Sequence, residues 1–330
     1  MFLLFSTTDF TDYIDYSNYF RLGQRKTMVF IVGDKICEAV LLCHVRDYLY
    51  LCTEIAYNSQ IDMIFVKGSG WMCNNILQYG HFYAWGKEHG RQTMSMRFAF
   101  KFQYFHICNT PHHHFLNYVI AKYAAKWRLI PTLEFNEPGC DTSEQEKLML
   151  SHKHIAVVGW EARWYDLFLK YKQEIIDLFA FKESVVKACQ PLLASTKGSC
   201  RLGVHIRRGD YATWNEGKYF FNDEQFLKLI KQFLELHPGA TVYICGNDPS
   251  LDQNLYKREL AGTEVIFPKG NPAEDLYVLS ECNYLIGPPS TFSLTAAMYH
   301  DAPLYWIKDA ALPLTEASFG HFDELFQHIL

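Results

Sequence analysis

The chain has 330 residues, of which 49% are hydrophobic and 16% aromatic, so it is long and apolar enough to bury a large core. Its 31 basic and 36 acidic side chains give a formal net charge of -5, which excludes a protein whose overall positive field holds nucleic acid. Its ten cysteines include no C-x-x-C pair, which excludes a zinc ribbon and a redox dithiol.

The sequence also gives expectations for the protein's cellular location and for the first residue of its native chain. Apolar runs are broken by charge well short of the roughly 20 residues that span a membrane, and no signal peptide pattern is present, so we expect a cytoplasmic protein. Peripheral association at the inner membrane surface stays open. Residues 1–62 hold short apolar runs without a repeating pattern. We interpret them as an extension and expect the native chain to start at Met63; the alternative is an ordinary extension that packs on the domain.

The pattern becomes regular at residue 63. Residues 63–67 predict a strand, Gly68-Ser69-Gly70 a turn and residues 73–89 a helix, which is how many nucleotide-binding α/β domains begin. Asn74, Gln78 and His81 share one face of that helix, and their polar groups would suit sugar hydroxyls or simply face solvent.

The middle of the chain carries weaker signals. Residues 91–142 are aromatic-rich and ambiguous, and His112-His113-His114 cannot share one face, so we predict a solvated loop there and no metal site. Residues 174–188 have helical spacing, and residues 190–199 are interpreted as the connection between a domain at 63–190 and a second domain at 191–330.

After residue 200 strands and helices alternate, which predicts a doubly wound parallel sheet with ligands at the carboxyl ends of its strands. The predicted strands are 201–206, 241–245, 264–267, 284–287 and 304–307, and the predicted helices are 223–236, 251–260, 273–282, 291–299 and 321–329.

The most informative stretch follows the first of these strands. His205 and Arg207 alternate with apolar residues and so share the face opposite the strand's core side. A strand-end guanidinium can bind two oxygens of a diphosphate, and it keeps its charge at all physiological pH values. Arg208 would assist, and Asp210 would orient an arginine or accept a proton.

Two further loops carry polar groups to the same predicted edge. Ser290, after Pro288-Pro289, is a helix N-cap candidate, and backbone N–H groups around Thr291 and Phe292 would then face a phosphate. Asp248 follows the second strand, where its carboxylate would accept from guanine or ribose or cap the next helix.

The segment His205-Ile206-Arg207-Arg208-Gly209-Asp210 resembles the H-x-R-R-G-D signature of the alpha-1,2-fucosyltransferases. Other family motifs follow in the family's order. They are Asn74-Asn75-Ile76-Leu77-Gln78-Tyr79, Gly159-Trp160-Glu161-Ala162-Arg163-Trp164-Tyr165, Tyr243-Ile244-Cys245-Gly246-Asn247-Asp248-Pro249, Glu274-Asp275-Leu276-Tyr277 and Ser290-Thr291-Phe292-Ser293.

The resemblance implies a GT-B-like fold of two Rossmann-like domains, with the donor site in the C-terminal one. It also implies an inverting enzyme that moves L-fucose from GDP-β-L-fucose to a galactose hydroxyl of a glycan in alpha-1,2 linkage. No further cofactor is expected, and no D-x-D triplet that would hold a metal is present. The predicted catalytic residues are His205, Arg207 and Asp210, and the predicted donor-binding residues are Asn74, Arg208, Asp248, Ser290, Thr291 and Phe292.

Several alternatives stay open at this stage. Asp210, His205 and Glu161 are all candidates for the general base, and of these we favour Asp210 or His205. Where the family usually has glycines this chain has Trp71 and Cys73, and two family tryptophans are replaced by Leu294 and Thr295. These departures leave room for fucosyl transfer to another position or acceptor, or for a non-catalytic GDP-sugar-binding protein. The oligomeric state is not read from the sequence.

Overall fold

The structure is a computed structural model that describes residues 28–32, 35–39, 62–198 and 200–329. The chain divides into two compact units, Met1–Gln60 and Ile61–Leu330. In the first, strands β1 (Met28–Val32) and β2 (Lys35–Ala39) pair as an antiparallel ribbon. Most of the predicted extension lies outside the described residues, so the native start at Met63 stays a prediction.

The second unit begins with a parallel sheet of four strands, in the order β4-β3-β6-β5. Its strands are β3 (Met63–Val66), β4 (Gln92–Ser95), β5 (Thr132–Glu134) and β6 (His154–Val158). The helices of this half are α1 (Met72–Glu88), α2 (Phe115–Lys126), α3 (Ser143–Ser151), α4 (Tyr165–Lys170), α5 (Lys172–Leu178) and α6 (Glu183–Ala194).

A second parallel sheet of five strands follows, in the order β11-β10-β7-β8-β9. Its strands are β7 (Arg201–Ile206), β8 (Thr241–Gly246), β9 (Val265–Ile266), β10 (Tyr284–Gly287) and β11 (Leu304–Trp306). The helices are α7 (Asp223–Leu236), α8 (Gln253–Glu259), α9 (Pro272–Ser280), α10 (Thr291–His300) and α11 (Phe322–Phe326).

Two parallel sheets interleaved with helices confirm the predicted α/β fold class. In the second sheet the strand order reverses between β7 and β10, and in the first it reverses between β3 and β6. Ligands of such sheets bind in the crevice at the carboxyl ends of the strands on either side of the reversal. The loops that follow these four strands are therefore where chemistry is expected.

Helix α7 packs on one face of the second sheet, and its position follows from local sequence signals. Asn222 caps the helix by accepting from the Gln225 amide, and the Gln225 side chain accepts from the Asn222 amide in return. Phe226, Ile230 and Phe233 then recur at helical spacing and are fully buried against the apolar face of the sheet. The helix spans the same residues that the sequence predicts.

The structure differs in part from three expectations for the middle of the chain, while the division into two domains stays a prediction. His113 is buried, because its Nε2 accepts from the Ser95 amide and its Nδ1 contacts the Thr110 hydroxyl, so this histidine does not lie in a solvated loop. The segment 174–188 is split between α5 and α6. The connection expected at 190–199 is helical as far as Ala194, and α6 packs against α9. The predicted boundary at 190–191 falls inside this helix.

Candidate active site

The end of β7 holds an arginine and a carboxylate in a two-point ion pair. Arg207 Nε donates to Asp210 Oδ1 at 3.1 Å, and Arg207 Nη2 donates to Asp210 Oδ2 at 2.7 Å. The Arg207 side chain is 16% exposed and that of Asp210 is 51% exposed. The pair uses two of the five guanidinium N–H donors, and it fixes the plane of the guanidinium at the strand reversal.

The positive charge of Arg207 affects the pKa of the neighbouring Asp210 carboxyl. Partial burial raises the pKa of Asp210, but the hydrogen bonds and charge of Arg207 outweigh this effect and the pKa is lowered overall. Asn247, at the end of β8, holds the same turn because its Oδ1 accepts from the Arg208 amide at 3.2 Å. Asp210 is therefore an ionised carboxylate that orients Arg207.

His205 is buried on the same face as Arg207. Its ring lies 4.9 Å from that of Phe292, and its Nδ1 has no hydrogen-bond partner within the described ranges. Burial, reinforced by the charge of Arg207, lowers the pKa of His205 to about 3. The imidazole is neutral at physiological pH and is a poor candidate for a general base.

Arg208 points to the other face of the strand and joins three elements. Its Nη2 lies 2.5 Å from Asp223 Oδ1, its Nε donates to the Phe221 carbonyl at 3.0 Å, and its Nη1 lies 3.5 Å from Asp248 Oδ2. The side chain is only 10% exposed. These contacts are those of a buried clamp, so the donor-binding role expected for Arg208 stays a prediction and its protein contacts favour a positioning role.

Asp248 belongs to the same network. Its Oδ1 accepts from both the amide and the hydroxyl of Ser250, at 2.8 and 2.6 Å. These hydrogen bonds lower the pKa of Asp248, with a smaller contribution from Arg208. Contact with guanine or ribose stays a prediction, since both oxygens already have partners in the protein.

The N-terminus of α10 adjoins Arg207 across the strand reversal. Ser290 is the N-cap as predicted, and its hydroxyl accepts from the Phe292 amide at 3.2 Å. The Phe292 N–H is therefore not free, contrary to the expectation that it faces a phosphate. The Thr291 hydroxyl donates to Asn74 Oδ1 at 2.6 Å and so joins the N-terminal turns of α10 and α1.

The amides before and within α1 shape the turn that leads into it. Gly68 and Gly70 have φ angles of +58° and +70°, in the region that favours glycine. Asn75 Nδ2 donates to three carbonyls of the turn, and Gln78 Oε1 accepts from the Ser69 amide at 3.1 Å. Gln78 thus holds the turn and is buried, which removes it from the polar stripe that the sequence suggests.

His81 also leaves that stripe. Its ring stacks on Phe326 at 5.2 Å with planes 14° apart, and Phe168 and Tyr165 complete the surroundings. Burial lowers the pKa of His81 to about 3. Of the three residues in the predicted polar stripe, only Asn74 contacts the start of α10.

Asp275 is a candidate residue that the sequence does not single out beyond its motif. It lies in the first turn of α9, whose backbone contacts Cys245, the register partner of His205. Its Oδ1 is buried without a hydrogen-bond partner among the residues that the structure describes. Burial, together with the charge of Glu274, raises the pKa of Asp275 to about 7. A carboxylate in this state is available to a ligand that offers N–H donors.

Glu161 is the candidate carboxylate at the strand reversal of the first sheet. It follows β6, and its amide donates to the Phe135 carbonyl at 2.9 Å. Its carboxylate lies 3.7 Å from Arg163 Nη2 and is 26% exposed. Since β3 and β6 flank the strand reversal of this sheet, Glu161 and the Gly68–Gly70 turn lie at adjacent strand ends.

Cys73, one of the departures from the family pattern, is buried in α1. Burial raises the pKa of its thiol to about 12, so it stays protonated and chemically inert. Trp71, the other departure, is 66% exposed just before the helix. No group of three or more histidine, cysteine, aspartate or glutamate side chains is arranged to hold a metal within the described ranges. No described helix is long and apolar enough to span a bilayer.

The arrangement is suited to departure of an anionic group. A fixed guanidinium and the start of α10 lie at the strand reversal of the second sheet, the Asp275 carboxylate lies in the helix that contacts the neighbouring strand β8, and Glu161 follows β6 at the reversal of the first sheet. Such fixed positive groups stabilise negative charge that develops on a leaving group.

Comparisons with known proteins agree with this interpretation. The model of glycosyl transferase family 11 matches residues 141–302. The galactoside alpha-(1,2)-fucosyltransferase 2 of Pongo pygmaeus is 21% identical over 189 residues, which cover 52% of this chain and 53% of the relative. The galactoside 2-alpha-L-fucosyltransferase SEC1 of Bos taurus is 22% identical over 189 residues, covering 52% of this chain and 50% of the relative. The chain spans about half the length of the curated relatives it matches.

Solved structures share the fold at low sequence identity. A mutant of Arabidopsis thaliana FUT1 in complex with GDP superposes with a TM-score of 0.56 and 10% identity, covering 84% of this chain and 78% of that one. The NodZ alpha-1,6-fucosyltransferase soaked with GDP-fucose has a TM-score of 0.50 and 12% identity, covering 79% of this chain and 98% of the other. The fold is the predicted GT-B-like one, and over residues 141–302 the chain is similar to glycosyl transferase family 11, in the same half of the chain that resembles the alpha-1,2-fucosyltransferases.

Proposed function

We propose that the protein transfers L-fucose from GDP-β-L-fucose to a galactose hydroxyl of a glycan, in alpha-1,2 linkage and with inversion. The bond between fucose C1 and the diphosphate oxygen breaks, and its electron pair leaves with GDP. A bond forms between C1 and the acceptor oxygen, and the proton of that hydroxyl passes to a carboxylate of the protein. Negative charge grows on the diphosphate while positive charge grows on the fucosyl ring.

The observation that carries the proposal is the orientation of Arg207. Asp210 fixes the guanidinium at two points, so its remaining N–H donors are held in one orientation at the end of β7, beside the strand reversal. A donor held in advance costs no reorganisation when charge develops, and this is the largest single source of catalysis in many enzymes. We propose that Arg207 stabilises the departing diphosphate, with Ser290 and Thr291 framing the same end of α10 and no metal required.

Asp275 supports a guanine nucleotide as the donor. Guanine presents an N–H and an adjacent NH₂ group on one edge, which two carboxylate oxygens can accept together. The buried and unpartnered Oδ1 of Asp275 is suited to that edge, whereas adenine offers no such pair and uracil lacks the NH₂ group. We propose that Asp275 reads the base and that the neutral, buried His205 packs beside it.

Glu161 is the base that we propose for the acceptor hydroxyl. His205 is too weakly basic, because burial lowers its pKa to about 3. Asp210 has both oxygens engaged by Arg207. Glu161 belongs to the acceptor-side sheet and has a single ion-pair contact, to Arg163 at 3.7 Å.

The alpha-1,2 linkage and the galactose acceptor rest on the family resemblance and on the names of relatives that are 21–24% identical. A panel of galactosides and other glycosides incubated with GDP-fucose, with the linkage read by NMR, tests this finer assignment. A product with another linkage would still support fucosyl transfer, but it would contradict the alpha-1,2 assignment.

Nucleotide binding tests the donor assignment. A ligand that binds only the folded protein raises its melting temperature, so GDP and GDP-fucose should raise it more than ADP or UDP. IDP lacks the guanine NH₂ group and should bind less well than GDP, and Asp275→Asn should reduce that difference. Glu281→Gln, a change at a half-buried side chain just after the other end of α9, is the control. Equal shifts for all nucleotides would contradict guanine reading, and GDP binding without fucosyl transfer would favour the non-catalytic alternative.

A further inference from the structure

Trp214 is a partly exposed tryptophan near the candidate active site, and its ring packs against two buried tyrosine rings. Trp214 belongs to the short turn Trp214–Gly217, which follows Asp210–Ala212, and its side chain is 38% exposed. Its ring centroid lies 4.8 Å from that of Tyr211 and 5.8 Å from that of Tyr219, with planes tilted by 30° and 35°. Both tyrosines are buried. The indole is therefore held from below by two fixed rings while it stays open to solvent.

The backbone after Trp214 is bent in a costly way. Asn215 and Glu216 have φ angles of 49° and 57°, and Gly217 has a φ of 74°, so three successive residues are left-handed. Residues other than glycine adopt this region only at a steric cost, because their Cβ crowds the following carbonyl oxygen. Such conformations persist where the surroundings hold them, and they cluster at functional sites.

The same turn is linked to the groups proposed for catalysis. The Tyr211 hydroxyl donates to the Pro289 carbonyl at 2.5 Å, directly before Ser290 at the start of α10. The Arg207 guanidinium carbon lies 5.2 Å from the centroid of the Tyr211 ring. Trp214 is thus separated by one aromatic ring from the arginine that is proposed to stabilise the leaving group.

We infer that Trp214 is the stacking platform for the acceptor sugar and that its ligand is a β-galactoside. The inference rests on the proposed function, because it assigns the acceptor subsite of that reaction. In galactose the axial hydroxyl at C4 leaves the hydrogens of C3, C4 and C5 together on one face. This apolar face fits an indole, whose ring face is electron-rich, while the hydroxyls stay at the edges.

The surroundings of Trp214 match this ligand. Asn215 and Glu216 are exposed beside the ring and offer an amide and a carboxylate to sugar hydroxyls. Stacking through C3, C4 and C5 leaves the C2 hydroxyl at the edge of the sugar, free to face the crevice. A glucoside has an equatorial hydroxyl at C4 and lacks the continuous apolar face, so Trp214 should favour the galactoside.

Three variants test the inference. Trp214→Ala removes the platform, Trp214→Phe keeps a smaller ring, and Trp127→Ala is the matched control. Trp127 is also exposed, but it ends α2, just before β5, and so lies near the amino edge of the first sheet. The probes are methyl β-D-galactoside and methyl β-D-glucoside, with binding followed by saturation-transfer NMR on the GDP-loaded full chain. GDP affinity is measured by calorimetry, and acceptor KM and kcat by fucose transfer.

We expect Trp214→Ala to weaken galactoside binding and to raise the acceptor KM by about tenfold, as loss of an aromatic stacking contact would. Its GDP affinity should stay within about twofold of the wild type, Trp214→Phe should recover most of the loss, and Trp127→Ala should behave as the wild type. An unchanged galactoside affinity in Trp214→Ala, or equal binding of galactoside and glucoside by the wild type, would overturn the inference. Failure of the wild-type protein to bind GDP would instead overturn the proposed function.

Discussion

The Thr291 hydroxyl donates a 2.6 Å hydrogen bond to Asn74 Oδ1, and the two residues are 217 positions apart in the chain. Asn74 lies in the first turn of α1 and Thr291 begins α10, so the bond joins the helix starts that follow β3 and β10. Both helices start at the crevice where the strand order reverses. The contact therefore joins the proposed acceptor-side half of the protein to the proposed donor-side half at the candidate active site.

Removal of this hydrogen bond should be measurable as a coupling. Thr291→Val and Asn74→Ala should each lower the free energy of unfolding in urea by about 1 kcal/mol, and the double variant should lose less than the sum. Thr132→Val, at an exposed strand start, is the control and should change little. Strictly additive losses would show that the two side chains do not interact in solution.

Arg208 should matter for stability more than for turnover. Lysine can reach one carboxylate but cannot replace the forked contacts with Asp223, Asp248 and the Phe221 carbonyl. We expect Arg208→Lys to lower the free energy of unfolding by about 2 kcal/mol, the cost of losing hydrogen bonds to charged groups while the positive charge is kept. Arg258→Lys is the control, because Arg258 is 68% exposed beside Glu259. A stable Arg208→Lys protein that no longer binds GDP would restore the donor-binding role.

The protein should lose stability as the pH falls below 6.5. Burial lowers the pKa values of His81, His113 and His205 to about 3, so below the unfolded value of about 6.5 the unfolded chain binds more protons. Asp275 acts in the opposite sense, because its folded pKa of about 7 lets the folded protein hold a proton that the unfolded chain releases above pH 4.

The net effect is an uptake of about two protons on unfolding near pH 5, or a slope of about 2.7 kcal/mol per pH unit. Urea titrations at several pH values between 4.5 and 7 measure this slope. His113→Gln should reduce it by about one proton. A flat profile would mean that these histidines are accessible to protons in the folded state.

The proposed division of roles between Glu161 and Asp210 predicts different pH profiles. Glu161→Gln should lower kcat by about 100-fold or more and remove the acid limb of the pH dependence, because the general base is lost. Asp210→Asn should also lower kcat, because it releases Arg207, but it should retain the acid limb. Calorimetry should find GDP affinity unchanged in Glu161→Gln. Loss of the acid limb in Asp210→Asn alone would make Asp210 the base.

The sequence predicts the second half well because its signals are local. Helix α7 combines a capping pair at Asn222 and Gln225 with apolar residues at helical spacing, and neither signal needs a distant contact. The turn after β7 and the cap at Ser290 were predictable for the same reason. What depends on folding was not predictable: His113 is buried by Ser95, 18 residues away, and Arg208 by carboxylates 15 and 40 residues away.

Only part of the candidate site could be predicted from the sequence, for the same reason. Motif residues such as Arg207, Asp210 and Asn74 reach the crevice, but the same helix face sends Gln78 into the glycine turn and His81 among aromatic rings. Asp275 gains its character from burial by other elements, which no linear pattern reports. Residue type and spacing therefore indicate which side chains carry chemistry, while packing decides which of them face a ligand.

Fucose transfer by Arg207→Lys in the presence and absence of EDTA tests the central claim most directly. The account predicts that EDTA leaves the wild-type rate unchanged and that Arg207→Lys keeps its melting temperature but loses about 100-fold or more in kcat, because lysine cannot supply the oriented guanidinium donors. A wild-type rate abolished by EDTA, together with an Arg207→Lys rate close to the wild type, would show that a metal stabilises the leaving group and would contradict the account.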